Sequence, residues 1–124
     1  MRVLLISANA ASTPYSVYPL GMSMVAASLS GAGHEVQQCD LIQSDMSMEA
    51  IADAVRRCVP ELIGISIRNI DNVNLLNEKR YIDVVSKLVQ RIREETEVPV
   101  ILGGSGFSIM PDPILRETKA DYGI

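Results

Sequence analysis

The strongest constraint on this chain is a regular alternation of short apolar runs with longer stretches of helical spacing. "RVLLIS" (2–7) is a continuous apolar run rich in branched residues, the pattern of a parallel strand buried on both faces. "PLGMSMVAASLSGAG" (19–33) follows as a helix apolar on almost every side, closed by Gly31 and Gly33. "HEVQQCD" (34–40) reads as a second strand, and "SMEAIADAVRRCV" (47–59) as a helix with Met48, Ile51, Val55 and Val59 on one face. "ELIGISI" (61–67) is a third strand. A longer helix covers 78–96, where Tyr81, Val84, Val85, Leu88, Val89 and Ile92 repeat at helical spacing. "VPVILGG" (98–104) is a fourth strand, "PDPILRETK" (111–119) a short helix with proline in its first turn, and "DYGI" the start of a fifth strand. Such alternation, joined by right-handed crossovers, predicts an α/β domain with helices on both faces of a parallel sheet. The expected architecture is a flavodoxin-like doubly wound sheet of three α/β/α layers, strand order 2-1-3-4-5, spanning residues 1–124 as a single domain.

Ligands of doubly wound sheets bind outside the carboxyl ends of the strands, where strand order reverses. The loops at that edge span 8–18, 67–77 and 103–110, and they are long or rich in small and polar residues, while the turns at the opposite edge are short. The third contains "GGSGFS" (103–108). No lysine follows these glycines, so this is not a P-loop, and the loop after the first strand, "SANAAS", lacks the glycines of a dinucleotide fingerprint. A phosphorylation receiver would need an aspartate after the third strand, where Ser66 stands. Tandem Gly103 and Gly104 instead suggest backbone approaching a large flat ligand, against the plainer alternative of a tight strand-to-helix turn.

Composition narrows the function classes. A net charge of −4 with scattered Lys and Arg argues against a nucleic-acid partner. The first residues carry one positive charge and too short an apolar run for a signal peptide, and no apolar run reaches the length of a membrane span. The expected location is the cytoplasm. Cys39 and Cys58 have no neighbouring ligands, which argues against zinc or a disulfide framework. The methionines read as core filler, and Glu94, Glu95 and Glu97 as a solvated helix end.

"YPLGMSMVAASLSGAGHEVQQCDL", "PELIGISIRNIDN", "VPVILGGSGFSIMP" and "ADYGI", in that order, resemble the N-terminal cobalamin-binding domain of cobalamin-dependent radical S-adenosylmethionine enzymes. That group includes anaerobic magnesium-protoporphyrin IX monomethyl ester cyclases and radical methyltransferases. The resemblance implies that Ser66, Gly103 and Gly104 line the slot for the cofactor's nucleotide tail. Further cobalamin contacts are expected at Asn9 and Tyr15 in the first loop, at Pro19, Leu20 and Gly21, at Ile67, Arg68 and Asn69, and at Gly106, Phe107 and Ser108. Tyr18 is a further candidate for covering one face of the macrocycle.

The DxHxxG motif that presents a histidine to cobalt in other cobalamin domains is missing, and the single histidine, His34, begins the second strand at the amino edge. Cobalamin is therefore expected to bind without a histidine ligand, with Arg68 a candidate for the space beneath the corrin. No CxxxCxxC occurs, so the [4Fe-4S] cluster and S-adenosylmethionine belong to a C-terminal radical barrel outside this sequence. The chain is expected to be an N-terminal piece of a longer enzyme, a binding domain with no catalytic or metal-ligating residue of its own. The alternatives are the N-terminal half of a two-domain sugar-nucleotide transferase, suggested by the helix followed by "GHEV", and a flavodoxin-like interaction module without cofactor.

Overall fold

The computed structural model describes residues 1–11, 15–71 and 79–124. Five parallel strands, β1 (Arg2–Ser7), β2 (Glu35–Asp40), β3 (Leu62–Ser66), β4 (Val100–Gly103) and β5 (Tyr122–Gly123), form one sheet in the order 2-1-3-4-5. They alternate with α1 (Leu20–Gly31), α2 (Met48–Cys58), α3 (Tyr81–Arg93) and α4 (Pro111–Thr118). This is the flavodoxin-like fold expected from the alternation. The expected start of α3 at residue 78, and parts of the first two carboxyl-edge loops, lie outside the described residues. The third loop also contains a short 3-10 turn, Phe107–Ile109, which no apolar periodicity announced.

Each strand sends alternate side chains to opposite faces. Leu4 and Ile6 of β1, Ile63 and Ile65 of β3, and Val100 and Leu102 of β4 join the buried faces of α2, α3 and α4 in the main core. Val3 and Leu5 turn the other way and meet Met22 and Ala26 of α1 in a smaller cluster. The main core is dense. Val85, Leu88 and Ile92 of α3 are fully buried, and truncating one such leucine to alanine typically costs about 2 to 5 kcal/mol.

Local chemistry sets the helix ends. The Ser47 hydroxyl accepts from the Ala50 N–H at 3.2 Å and caps α2, with Glu49 in the first turn and Arg56 and Arg57 in the last. Val59 is the left-handed residue that ends α2, at φ 45, so it is exposed instead of sharing the helix's apolar face as its spacing suggested. On α3, Ile82 is buried where Tyr81 was expected. Glu95 is no solvated helix end: its carboxylate pairs with Arg56 at 2.7 Å and Arg91 at 2.7 Å, bridging α2 and α3. Asp121 accepts the Val100 N–H at 2.7 Å and pairs with Arg93, which fixes the start of β5 to β4.

The two sheet faces are covered unequally. Among the described residues three helices pack on one, and α1 alone packs on the other, over β1 and β2. Among the described residues, no helix covers the α1-side face of β3 and β4. No helix of those residues is long and apolar enough to cross a membrane.

Candidate functional site

The gap beside α1 is a cavity of about 540 Å³ at the carboxyl end of the sheet. Its floor follows from strand register. Ser7 lies beside Ser66 and Ser66 beside Gly103, so one row across β1, β3 and β4 carries only small side chains. The row beneath it is Leu5, Gly64 and Ile101. All six residues line the cavity. On the opposite wall stand Leu20, Gly21, Met22 and Val25 of α1 with Val17, Tyr18 and Pro19 ahead of it.

That wall is tied to the sheet. The Ser23 hydroxyl donates to Gln38 Oε1 at 3.1 Å, and the Tyr18 phenol lies 2.7 Å from Ser23 Oγ. With the serine proton committed to Gln38, the phenol is the donor to Ser23. The loop before α1 is thus held to β2.

The rim is polar. Arg68 and Ser105 line it, and Arg68 forms no ion pair, to Asp71 or otherwise, among the described residues. Asn9 is 5% exposed; its Oδ1 accepts from the Ala11 N–H at 3.1 Å, but its Nδ2 is buried without a partner among the described residues. A buried donor in this state marks a place where an acceptor fits, because leaving it unpaired costs about 1 to 3 kcal/mol.

Of the residues expected to touch a cofactor, Asn9, Pro19, Leu20, Gly21, Ser66, Arg68, Gly103 and Gly104 are brought together around this cavity. The others are not. Tyr15 is 71% exposed and lies off the cavity lining. Ile67 and Phe107 turn to the main-core face, where strand parity and the Gly123 contact hold them. Asn69 and Ser108 lie off the lining, and the Ser108 hydroxyl donates to Gly104 O at 3.2 Å.

The glycines also divide. A Cβ on Gly104, at φ 98, would stand 2.6 Å from Ile67 O, and one on Gly106 would stand 2.9 Å from Arg68 O. These two glycines let the β4 loop close on the end of β3, an intramolecular requirement that stands beside the place of Gly104 in the cavity lining. Gly103 and Gly64 shape the cavity floor itself. Sequence reasoning missed Leu5, Ser7, Gly64, Ile101, Met22 and Val25. A glycine inside the strand "LIGIS" was the available signal.

A family model described as the B12 binding domain matches residues 6–124. The chain belongs to the B12-binding domain family. It is also 29% identical over 123 residues to tryptophan 2-C-methyltransferase of Streptomyces laurentii, a match covering 98% of this chain and 20% of that protein. Two solved structures of the radical S-adenosylmethionine methyltransferase TsrM from Kitasatospora setae superpose closely. One, with tryptophan and a SAM analogue bound, gives a TM-score of 0.89 at 27% identity over 100% of this chain and 23% of that one. The other, with cobalamin and a [4Fe-4S] cluster bound, gives 0.88 at 28% identity over 98% and 21%. The B12-binding domain therefore spans about a fifth of the length of these relatives.

The residues present fit a B12 group. The small row Ser7, Ser66 and Gly103 makes a slot, the glycine floor leaves room below it, and Asn9 offers an unmatched donor at the mouth. His34 lies at the amino end of β2, the opposite edge of the sheet, with its backbone N–H donating to Leu29 O at 3.1 Å.

Proposed function

We propose that this chain is the cobalamin-binding domain of a longer radical S-adenosylmethionine enzyme of the methyltransferase type, and that it holds the cofactor without a histidine ligand. The observation that carries this reading is the slot between α1 and the small-residue row of β1, β3 and β4, within a chain matched by the B12-binding family over residues 6–124. The relatives named above are methyltransferases, which favours methyl transfer over the cyclase type. A slot with an unmatched donor at its mouth likewise favours cofactor binding over a sugar-nucleotide transferase half or a cofactor-free module.

Ser7, Ser66, Gly103, Met22 and Val25 would hold the nucleotide tail, and Asn9 and Arg68 would meet the cofactor at the rim. A tail held in the slot would keep its dimethylbenzimidazole among these residues, and His34, at the amino end of β2, would not be placed to serve as a ligand in its stead. Bound cobalamin supplies a cobalt centre for methyl transfer. The chain's own residues bind and orient it. The iron–sulfur cluster and S-adenosylmethionine belong, on this reading, to a radical barrel in the same longer protein, and the catalysis to that whole enzyme.

Reconstitution with hydroxocobalamin, then gel filtration and a visible spectrum, tests the assignment: colour should travel with the protein. Electron paramagnetic resonance of the Co(II) form should lack nitrogen hyperfine splitting. Splitting that disappears in His34→Ala would overturn the histidine-free reading, and a colourless protein peak would overturn cobalamin binding.

A further inference from the structure

The slot changes character along its length. The polar side chains of its sheet wall, Ser7, Asn9, Ser66 and Arg68, all stand toward the carboxyl end. One row deeper, the wall is Leu5, Gly64 and Ile101, faced by Met22 and Val25 of α1. None of these five residues offers a side-chain donor, and the only side-chain acceptor among them is the weak thioether sulfur of Met22. The strand backbones behind them are engaged in the β1–β3 and β3–β4 ladders.

We propose that this gradient makes the slot selective for the lower base of the corrinoid: it takes an apolar benzimidazole and rejects a purine, with Gly64 setting the depth of the base end. The inference rests on the cobalamin reading above. A corrinoid tail that enters from the carboxyl edge arrives base first, and its ribose and charged phosphate stay near the polar rim. The base then sits against Leu5, Gly64 and Ile101. Dimethylbenzimidazole presents carbon there. Adenine presents ring nitrogens and an exocyclic amine, which would be stripped of water without a partner, and a site that leaves polar ligand atoms unpaired discriminates strongly against them.

Gly64 determines how far the base can descend. A Cβ built on it lies 2.7 Å from Leu5 Cδ2, the free end of a flexible side chain, so an alanine is accommodated by moving that methyl. The fold survives and the floor is raised. The neighbouring register positions on β1 and β4 are Leu5 and Ile101, so glycine is what keeps the centre of this row low, with only the Leu5 methyl leaning over it.

The test is a visible-absorbance titration of the 124-residue protein with three probes: cobalamin, adeninylcobamide, and cobinamide, which lacks the nucleotide tail. Cobalamin should bind at least about tenfold more tightly than adeninylcobamide, equivalent to about 1.4 kcal/mol. Gly64→Ala should weaken cobalamin at least about fivefold and leave cobinamide unchanged, with the urea midpoint confirming a folded variant. Equal affinity for the two complete corrinoids would overturn the selectivity and leave cobalamin binding standing. Cobinamide binding as tightly as cobalamin would show that the tail is not in the slot, which also overturns the proposal. If no corrinoid binds, the cofactor reading itself fails and this inference falls with it.

Discussion

Replacing Gly104 by alanine should cost this protein much of its stability before any ligand is considered. Gly104 has φ 98, and a Cβ there would stand 2.6 Å from Ile67 O, 3.0 Å from Ile67 N and 3.1 Å from Ser66 Oγ. A side chain in a left-handed conformation costs about 1 to 2 kcal/mol. Ordinary contact begins at 3.4 Å, so the loop must also retreat from β3 by several tenths of an ångström. Two backbone hydrogen bonds hold it there, Ile67 N–H to Gly103 O at 2.8 Å and Gly106 N–H to Ile67 O at 2.9 Å. Loss or stretching of such bonds costs about 0.5 to 1.5 kcal/mol each, which brings the total to about 2 to 5 kcal/mol. At about 2.1 cal/mol/K of unfolding entropy per residue, a chain of 124 residues loses about 4 °C of Tm per kcal/mol, or about 8 to 20 °C here. Urea denaturation should show a lower midpoint with an unchanged slope. Gly103→Ala is the informative comparison, because the closest atom its Cβ meets is Cγ1 of the movable Ile124 side chain at 3.2 Å, with Ile124 O at an ordinary 3.6 Å, and it should lose less than about 1 kcal/mol. Gly31→Ala, with nothing within 4 Å, should gain about 0.5 to 1 kcal/mol. If Gly104→Ala is no less stable than Gly103→Ala, the close-approach argument is wrong.

Asn9→Ala should lower stability by no more than about 1 kcal/mol, through the lost bond to the Ala11 N–H, while weakening hydroxocobalamin several-fold in a titration; unchanged affinity would mean that the buried Nδ2 does not meet the cofactor. Arg68→Leu should keep cobalamin bound and lower the cobalt midpoint potential by tens of millivolts in spectroelectrochemistry, because a positive charge at the rim favours the reduced metal; lost affinity at an unchanged potential would place the guanidinium on the phosphate instead. Hydrogen bonds from Arg56 and then Arg91 hold the Glu49 carboxyl below the usual range, and one from Arg91 above all does the same for Glu95. Their contribution is complete above the ordinary glutamate value of about 4.3 and is lost as pH falls through the lowered values. Urea midpoints measured down to about pH 3 should therefore fall less steeply for Glu95→Gln than for the unaltered protein.

The fold was legible because parallel strands buried on both faces leave continuous apolar runs, and "RVLLIS" and "VPVILGG" are such runs. Boundaries were less so. Val59 kept the helical spacing of α2 but sits one residue past its end, where a left-handed cap turns it outward. At the site, residues whose role depends on loop position could be placed from motif order: Ser66, Arg68, Gly103 and Pro19 all line the cavity. What sequence order did not show is which face a strand residue occupies. Ile67 and Ser66 are neighbours in one motif, yet strand parity sends one into the main core and leaves the other in the slot. The floor residues Leu5, Gly64 and Ile101 looked like ordinary strand interior because a cavity beneath a single helix leaves no periodic mark.

The Tyr18–Ser23–Gln38 chain hangs one wall of the slot from the outermost strand of the sheet. Gln38 is aimed at α1 only because β2 pairs with β1 in the register that sets it beside Leu5. Side chains alternate with a period of two, so a slip of one residue would present Gln37 or Cys39 at that position and turn Gln38 to the opposite face. The slot's width is thereby indexed to the pairing of β2, a strand with its far edge unpaired in this sheet. Another strand docking on that free edge, or fraying of β2 from its amino end, would be felt at the tyrosine before it reached the main core.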